Sequence, residues 1–413
     1  MMGIDSDAET IAPVPRISLQ AFCESQEIAQ VVQGATGDRR MDKAHVKVQM
    51  GGAAAAVEAF RAAPTPNVIV LESTAERAAL LTNLEALSEF CDAGTKVVVI
   101  GRLNDIILYR ELMSRGVSDY LVAPLEVLEF IGAISRLYSN AGAEPLGRVV
   151  AVTGVKGGVG ASAIAHNMAF SMARDLHMQT VIADLDLAFG TGGLDFNQDP
   201  PQGIAEAVFA PDRLDANLVD RLLSRCSEKL SLLAAPATLD RVYDFSETSF
   251  DLIIDILRAT IPCVVLDVPH TWNAWARRML VGADEIVLVA SPDLASLRNA
   301  KSMVDTLRAA RLHDAQPRLV MNQMGVPKRP EISLADFAKA IDMTVEAVIP
   351  FEPKLFGTAA NNGQMIIEVE ASNKIAATIA ELARSVTGKS EIRKPSKNIL
   401  KPFMSRLARK KAS

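Results

Sequence analysis

Val149-Val150-Ala151-Val152-Thr153-Gly154-Val155-Lys156-Gly157-Gly158-Val159-Gly160-Ala161-Ser162 is an apolar run that enters a glycine-rich turn and continues into small residues. A buried strand, a turn nearly free of side chains and a helix follow one another, which is the arrangement that cradles a phosphate. Glycines let successive backbone N–H groups converge on one anion, and the positive N-terminal end of the helix adds to them. Lys156, Gly157, Gly158, Val159, Gly160 and Ala161 form the expected cradle, and Ser162 stands where a hydroxyl holds magnesium. The pattern asks for a lysine directly before that hydroxyl. Ala161 occupies its place, and Lys156 lies upstream at the start of the glycines. A lost charge-assisted contact costs about 1.5–3 kcal/mol, roughly 10- to 100-fold in affinity, so weak ATP binding is expected. Gly160-Ala161-Ser162-Ala163-Ile164 also lacks the second glycine of a nucleophile elbow, which removes a serine-hydrolase reading.

Downstream, Thr180 to Asp186 reads as a strand that brings Asp184 and Asp186 to the carboxyl edge of a sheet, where α/β folds bind ligands. Asp267 closes Val264-Val265-Leu266-Asp267 in the same way and can hold a magnesium-bound water, so Ser162, Asp184 and Asp267 are the candidate metal residues. Further strands are expected at Leu230 to Ala235, Glu285 to Ser291 and Arg318 to Asn322, with helical patterns between them. Nearly continuous Val/Ile/Leu strands alternating with helices predict a doubly wound, mostly parallel α/β sheet over 148–388. Upstream, strands at Ile17 to Cys23, Asn67 to Ser73, Lys96 to Gly101 and Ser118 to Val122, with helices over Ala75 to Asp92 and Asp105 to Arg115, predict a second β/α unit. Its span is 17–140, after a disordered leader at 1–16 and before a linker at 141–147.

Together these residues resemble a family. Lys156 to Ser162, Asp184-Leu185-Asp186, Asp267-Val268-Pro269, Met321-Asn322-Gln323 and Ile349-Pro350-Phe351 are similar to the deviant Walker A, Walker A′, Walker B, base-contacting and late-strand motifs of ParA/MinD-type ATPases. The upstream unit resembles a receiver (flavodoxin-like) domain, with Ser118-Asp119-Tyr120-Leu121-Val122-Ala123-Pro124 where receivers carry D-Y-L-x-K-P. With Gly-Val-Gly-Ala-Ser in the loop, the chain is most similar to CpaE/TadZ pilus-assembly proteins. The resemblance implies an ATP- and Mg2+-binding homodimer in which Lys156 reaches the partner's phosphates, Asp186 positions the attacking water and Asn322 reads adenine. It implies a localisation and assembly factor of a Tad-type pilus machine, with weak or no hydrolysis. In the receiver-like unit Glu72 replaces the phosphorylated Asp, Phe22-Cys23 the acid pair, Gly101 the switch hydroxyl and Ala123 the lysine. Phosphoryl transfer needs clustered acids and that lysine, so this pocket is expected to be inert. An ordinary strand-end role is favoured for Glu72 over a built-in mimic of phosphate.

The chain has 413 residues and a net charge of -6. Lys389 to Ser413 hold six Lys and three Arg against one Glu, a tail of +8, which leaves -14 on the rest. Such a body repels nucleic acid, which argues against the rival reading, a DNA-binding partitioning ATPase. The intact glycine loop argues against a scaffold without nucleotide. Over 397–411 six basic residues interleave with Ile399, Leu400, Phe403, Met404 and Leu407, an amphipathic pattern suited to an anionic membrane. The start carries no secretory pattern, so a cytoplasmic protein, peripheral on the inner membrane and polar, is expected. Cys23, Cys91, Cys226 and Cys263 have no metal spacing and read as reduced thiols. Nor do His45, His166, His177, His270 and His313 have ligand spacing, while Trp272 and Trp275 read first as core residues.

Overall fold

A computed structural model describes residues 11–139, 146–239 and 241–388. It divides into two compact units, one within residues 1–146, 272–283 and 301–317, the other within 147–271, 284–300 and 318–413. In the first, β1 (Ile17–Cys23), β2 (Ala44–Met50), β3 (Val68–Glu72), β4 (Lys96–Gly101) and β5 (Asp119–Val122) form a parallel sheet in the order β2-β1-β3-β4-β5. That is the flavodoxin-like order. Every residue of β3 is buried, as a central strand covered on both faces requires. Helix Gln26–Thr36 starts at an N-cap serine, Ser25, whose hydroxyl accepts the Ile28 N–H. Val14, in the stretch assigned to the leader, is buried, and its N–H donates to Arg40 O at 2.8 Å. Arg39 and Arg278 fasten the later segments of this unit, through Asp314 (2.8 Å) and Asp42 (2.6 Å) respectively.

The second unit is built on β6 (Arg148–Gly154), β7 (Thr180–Asp184), β8 (Ser224–Arg225), β9 (Leu230–Leu233), β10 (Cys263–Val268), β11 (Glu285–Ala290), β12 (Arg318–Met324) and β13 (Val345–Pro350). Their order is β13-β12-β11-β6-β10-β7-β9-β8, parallel throughout except that β8 runs antiparallel to β9. The mostly parallel α/β architecture expected from the sequence is present in both units. One face of this sheet, with Val150, Val152, Ile182, Val265, Val287, Val289 and Val320, packs on Ile164, Met168 and Met172 of helix Ala161–Asp175 and on Ile375, Ile379 and Leu382 of helix Lys374–Val386. Ala165, Ala169 and Ala173 keep the first of these helices thin enough to lie close to the strands. Each fully buried side chain of this kind contributes about 1.5–3 kcal/mol, so the packing fixes the helix that begins at the glycine loop. All four cysteines are free thiols, with Cys23 and Cys263 buried. Trp275 is buried on helix Ala274–Gly282, as a core residue should be, whereas Trp272 is half exposed ahead of it.

Candidate nucleotide site

Central strand β6 delivers the glycine loop to the carboxyl edge of the second sheet, between β10 and β11. Gly158 and Gly160 have φ of +76° and +83°, a left-handed backbone that glycine adopts without penalty. A Cβ on Gly160 would lie 2.6 Å from Asn322 Nδ2, whereas one on Gly158 would meet nothing within 4 Å. The loop is packed from behind and open in front. Its carbonyls are tied back by side chains from three other elements. Asn299 Nδ2 donates to Val155 O at 3.0 Å, Gln323 Nε2 to Gly158 O at 2.8 Å and Asn322 Nδ2 to Val159 O at 2.8 Å, and His270 Nδ1 lies 3.1 Å from Gly154 O. A peptide N–H points away from its carbonyl, so this anchoring turns the N–H groups to the open side. Among the described residues those of Gly157, Gly158, Val159 and Gly160 donate to no backbone acceptor. Four free donors ahead of a 15-residue helix fit a phosphate.

Lys156 points its ammonium to Asp293, with Nζ 2.7 Å from Oδ2. The Ser291 hydroxyl (2.7 Å) and the Ser296 N–H (2.9 Å) hold the same carboxylate. Burial pushes the Asp293 carboxyl up, but hydrogen bonds from Lys156, Ser296 and Ser291 outweigh it and hold it at about 2. For the role the resemblance implies, Lys156 must exchange Asp293 for a phosphate. Asn322 is 4% exposed, donates to Val159 O and accepts the Gln323 N–H at 2.8 Å. In this conformation it is a strut for the loop.

Asp184 and Asp267 end on adjacent strands β7 and β10 in direct register, and both are buried. Asp184 accepts N–H groups from Gly192 (2.9 Å) and Asp186 (3.1 Å). Burial and the neighbouring Asp267 charge raise its pKa, against the opposing pull of His166 and the two N–H groups. The strand stops at Asp184, two residues short of the expected end, because the chain there curls around the carboxylate. A Cβ on Gly190 would stand 2.4 Å from Asp184 Oδ2. Asp186 therefore lies in the turn and accepts the Phe189 N–H at 3.0 Å. Ser162 sits half-buried in the first turn of the helix. Two carboxylates and a hydroxyl beside a phosphate cradle fit magnesium, which is held by one or two carboxylates together with phosphate oxygens. Among the described residues no three His, Cys, Asp or Glu side chains converge as a metal cage on their own.

Sequence reasoning missed His166, Asp195, His270, Asp293 and Asn299. Each lies far along the chain from the group it serves or inside a stretch without a motif, and only the topology brings them to one edge. His166 stands between Asp195 and Asp267. Burial works against a charged ring, and the two carboxylates outweigh it and raise its pKa.

At the equivalent edge of the first unit, described side chains occupy the space and bond to one another. The Glu72 carboxylate accepts the N–H groups of Glu24 and Ser25, both at 2.8 Å, and the Ser25 hydroxyl at 2.6 Å. It is 3% exposed, and its negative charge lies at the N-terminus of helix Gln26–Thr36. Glu24 accepts from Thr74 N and Oγ1 at 2.8 and 2.6 Å, closing the same cluster. Tyr120 fills the space beside Gly101, where a Cβ would be 2.3 Å from its hydroxyl, and that hydroxyl donates to Leu103 O at 2.9 Å.

No family model matches the chain. It is similar, in its N-terminal part, to the pilus assembly protein CpaE from Caulobacter crescentus, whose solved structure is 46% identical over 31% of this chain and 98% of its own, with a TM-score of 0.31. The septum site-determining protein MinD of Synechocystis is 24% identical over 252 residues, 59% of this chain and 90% of its own. MinD from Pyrococcus horikoshii, solved in complex with Mg-ADP, shares the fold at a TM-score of 0.52 and 19% identity, over 58% of this chain and 96% of its own. The first of these relations rests on its identity across nearly the whole of that chain, and the others place the second unit in the ParA/MinD-type P-loop ATPase fold. On that identity, this chain belongs to the CpaE pilus assembly proteins.

Proposed function

We propose that the protein binds ATP with magnesium, dimerises around it and serves as a localisation and assembly factor of a Tad-type pilus apparatus, with little turnover. The observation that carries this reading is the glycine loop with its carbonyls tied back and its N–H groups unengaged, in a loop that has Ala161 where a lysine would hold the nucleotide. The loop N–H groups bind and orient the phosphates, and the helix dipole from Ala161 onward supports them. Ser162, Asp184 and Asp267 supply the oxygens for magnesium, which when bound neutralises phosphate charge. Lys156 leaves Asp293 for the nucleotide of a second copy, and Asp186 orients water. Asn322, next to Gln323 at the end of β12, reads the base. The missing ammonium at position 161 lowers affinity and slows turnover, so the protein works as a switch more than as an engine. No helix among the described residues is long and apolar enough to cross a membrane. The expected seat is the cytoplasmic face of the inner membrane, reached through the basic tail.

Titration with ATP and magnesium, followed by multi-angle light scattering, tests this reading. A shift from monomer to dimer with ATP and not with ADP is the expected result. A protein that stays monomeric at saturating ATP, or that hydrolyses ATP rapidly by itself, overturns it.

A further inference from the structure

The second unit carries a surface that is both apolar and acidic, where the end of helix Ile204–Phe209 meets the loop before helix Asp251–Thr260. The Phe209 ring packs on those of Tyr243 and Phe245, with centroids 6.3 and 5.6 Å away, and Phe245 packs edge-on against buried Phe250 at 5.2 Å. These rings anchor the loop but leave apolar groups outside it. Val242 is 87% exposed, and Phe209 and Leu252 are exposed as well. Over 241–255 four acids, Asp244, Glu247, Asp251 and Asp255, stand against Arg241 alone. Asp244 and Glu247 are exposed and form no ion pair among the described residues. Arg241 lies over the Phe209 ring, its guanidinium carbon 5.3 Å from the centroid, so this face already receives a cation.

Exposed apolar groups among unpaired acids suit a partner that is basic and apolar at once. The chain holds one. Lys389 to Ser413 lie outside the described residues, carry +8 and include Phe403, Met404 and Leu407 among their basic side chains. The place where the described residues end puts this segment within reach. A Cβ on Gly388 would lie 3.5 Å from Arg148 Nη1, and the neighbouring Gly147 N–H donates to Arg258 O near the end of helix Asp251–Thr260. From that end to the first turn is about 15 Å of helix, whereas the residues between Gly388 and Ile399 can extend to roughly 36 Å.

We propose that residues 397–411 dock on this surface of their own chain, with their Lys and Arg side chains on the acids of 244–255 and with Phe403 and Leu407 against Val242 and the exposed edge of Phe209. A tail seated here is withheld from other anionic surfaces, so the contact holds the basic segment in reserve. The inference goes beyond the nucleotide reading and does not rest on it.

Carbodiimide joins a lysine amine to a carboxylate only where the two touch, which makes it the probe. Full-length protein, mixed from 15N-labelled and unlabelled copies, is cross-linked and the links are mapped by mass spectrometry. Links from Lys397, Lys401 and Lys410 to the acids of 244–255, within copies of one label, are the expected result. At the salt concentration that halves their yield, two variants should each cut the remainder several-fold. Val242→Lys sets a like charge on the surface at an exposed position, and Phe403→Ser combined with Leu407→Ser keeps the tail's charge but removes its apolar contact. Links scattered over the acidic body, links between labelled and unlabelled copies, or a yield that holds in either variant overturn the proposal. So does a tail that joins none of these carboxylates yet binds anionic vesicles, a result that leaves it to the membrane alone.

Discussion

At position 161 a methyl group stands where the phosphate-loop pattern calls for an ammonium, and the affinity proposed for ATP turns on this residue. Ala161→Lys is expected to tighten ATP binding by roughly 10- to 100-fold, the worth of one charge-assisted contact, measured by fluorescent-nucleotide titration. Unchanged affinity means that the loop does not hold phosphate. The Lys156–Asp293 pair was invisible to a reading along the chain, because its members are 137 positions apart and Asp293 belongs to no motif. Lys156 itself was legible from its place before the glycines. The pair makes a pH prediction. The Asp293 carboxyl is held at about 2, below its ordinary 3.8, so its contribution to stability is complete above the ordinary value and lost as pH falls through about 2. In Lys156→Met the carboxyl midpoint should move up, as followed by 13C NMR of the Asp side chains. A midpoint that stays put shows that Ser291 and Ser296 suffice.

Elements were legible where most residues are buried and obscure where few are. Ile17–Cys23 and Lys96–Gly101 are mostly apolar and mostly buried, and the strands begin and end where the sequence places them. The edge strand Ala44–Met50 alternates half-buried and exposed residues, including His45, Lys47 and Gln49, and such polar edges do not announce themselves. The two-residue strand Ser224–Arg225 is too short to carry a pattern. Glu72 shows what an element end can conceal, since its carboxylate joins the end of β3 to the start of helix Gln26–Thr36. Glu72→Ala leaves the part-buried N–H groups of Glu24 and Ser25 without their acceptor, at a cost of about 1–3 kcal/mol. Chemical denaturation should show the first unit weakened by that amount and nucleotide binding unchanged. An unshifted midpoint would mean that water replaces the carboxylate.

For the whole molecule, the resemblance read from five short motifs agrees with the ParA/MinD-type fold of the second unit, whereas the identity to CpaE lies in the N-terminal part, outside those motifs. The basic tail over 397–411 lies outside the described residues, and its function is a proposal. Each Lys or Arg near an anionic leaflet contributes about 1 kcal/mol, so six give at most roughly 6, and dimerisation doubles the anchors. The protein should co-sediment with anionic liposomes, more with ATP than without, and Phe403→Glu combined with Leu407→Glu should release it. A tail that binds DNA and ignores lipid ends this reading. The first unit should also gain no mass after incubation with acetyl phosphate. Its pocket carries a further consequence. Placing a hydroxyl side chain at Gly101 would drive a Cβ to 2.3 Å from the Tyr120 hydroxyl. Shortening Glu72 to Asp would withdraw the carboxylate from Ser25 and from two N–H groups. Either single substitution is expected to weaken the fold. These contacts make the pocket intolerant of exchange at Gly101 and Glu72, so substitutions on the surface of the domain should be accepted far more easily than ones that would open this edge.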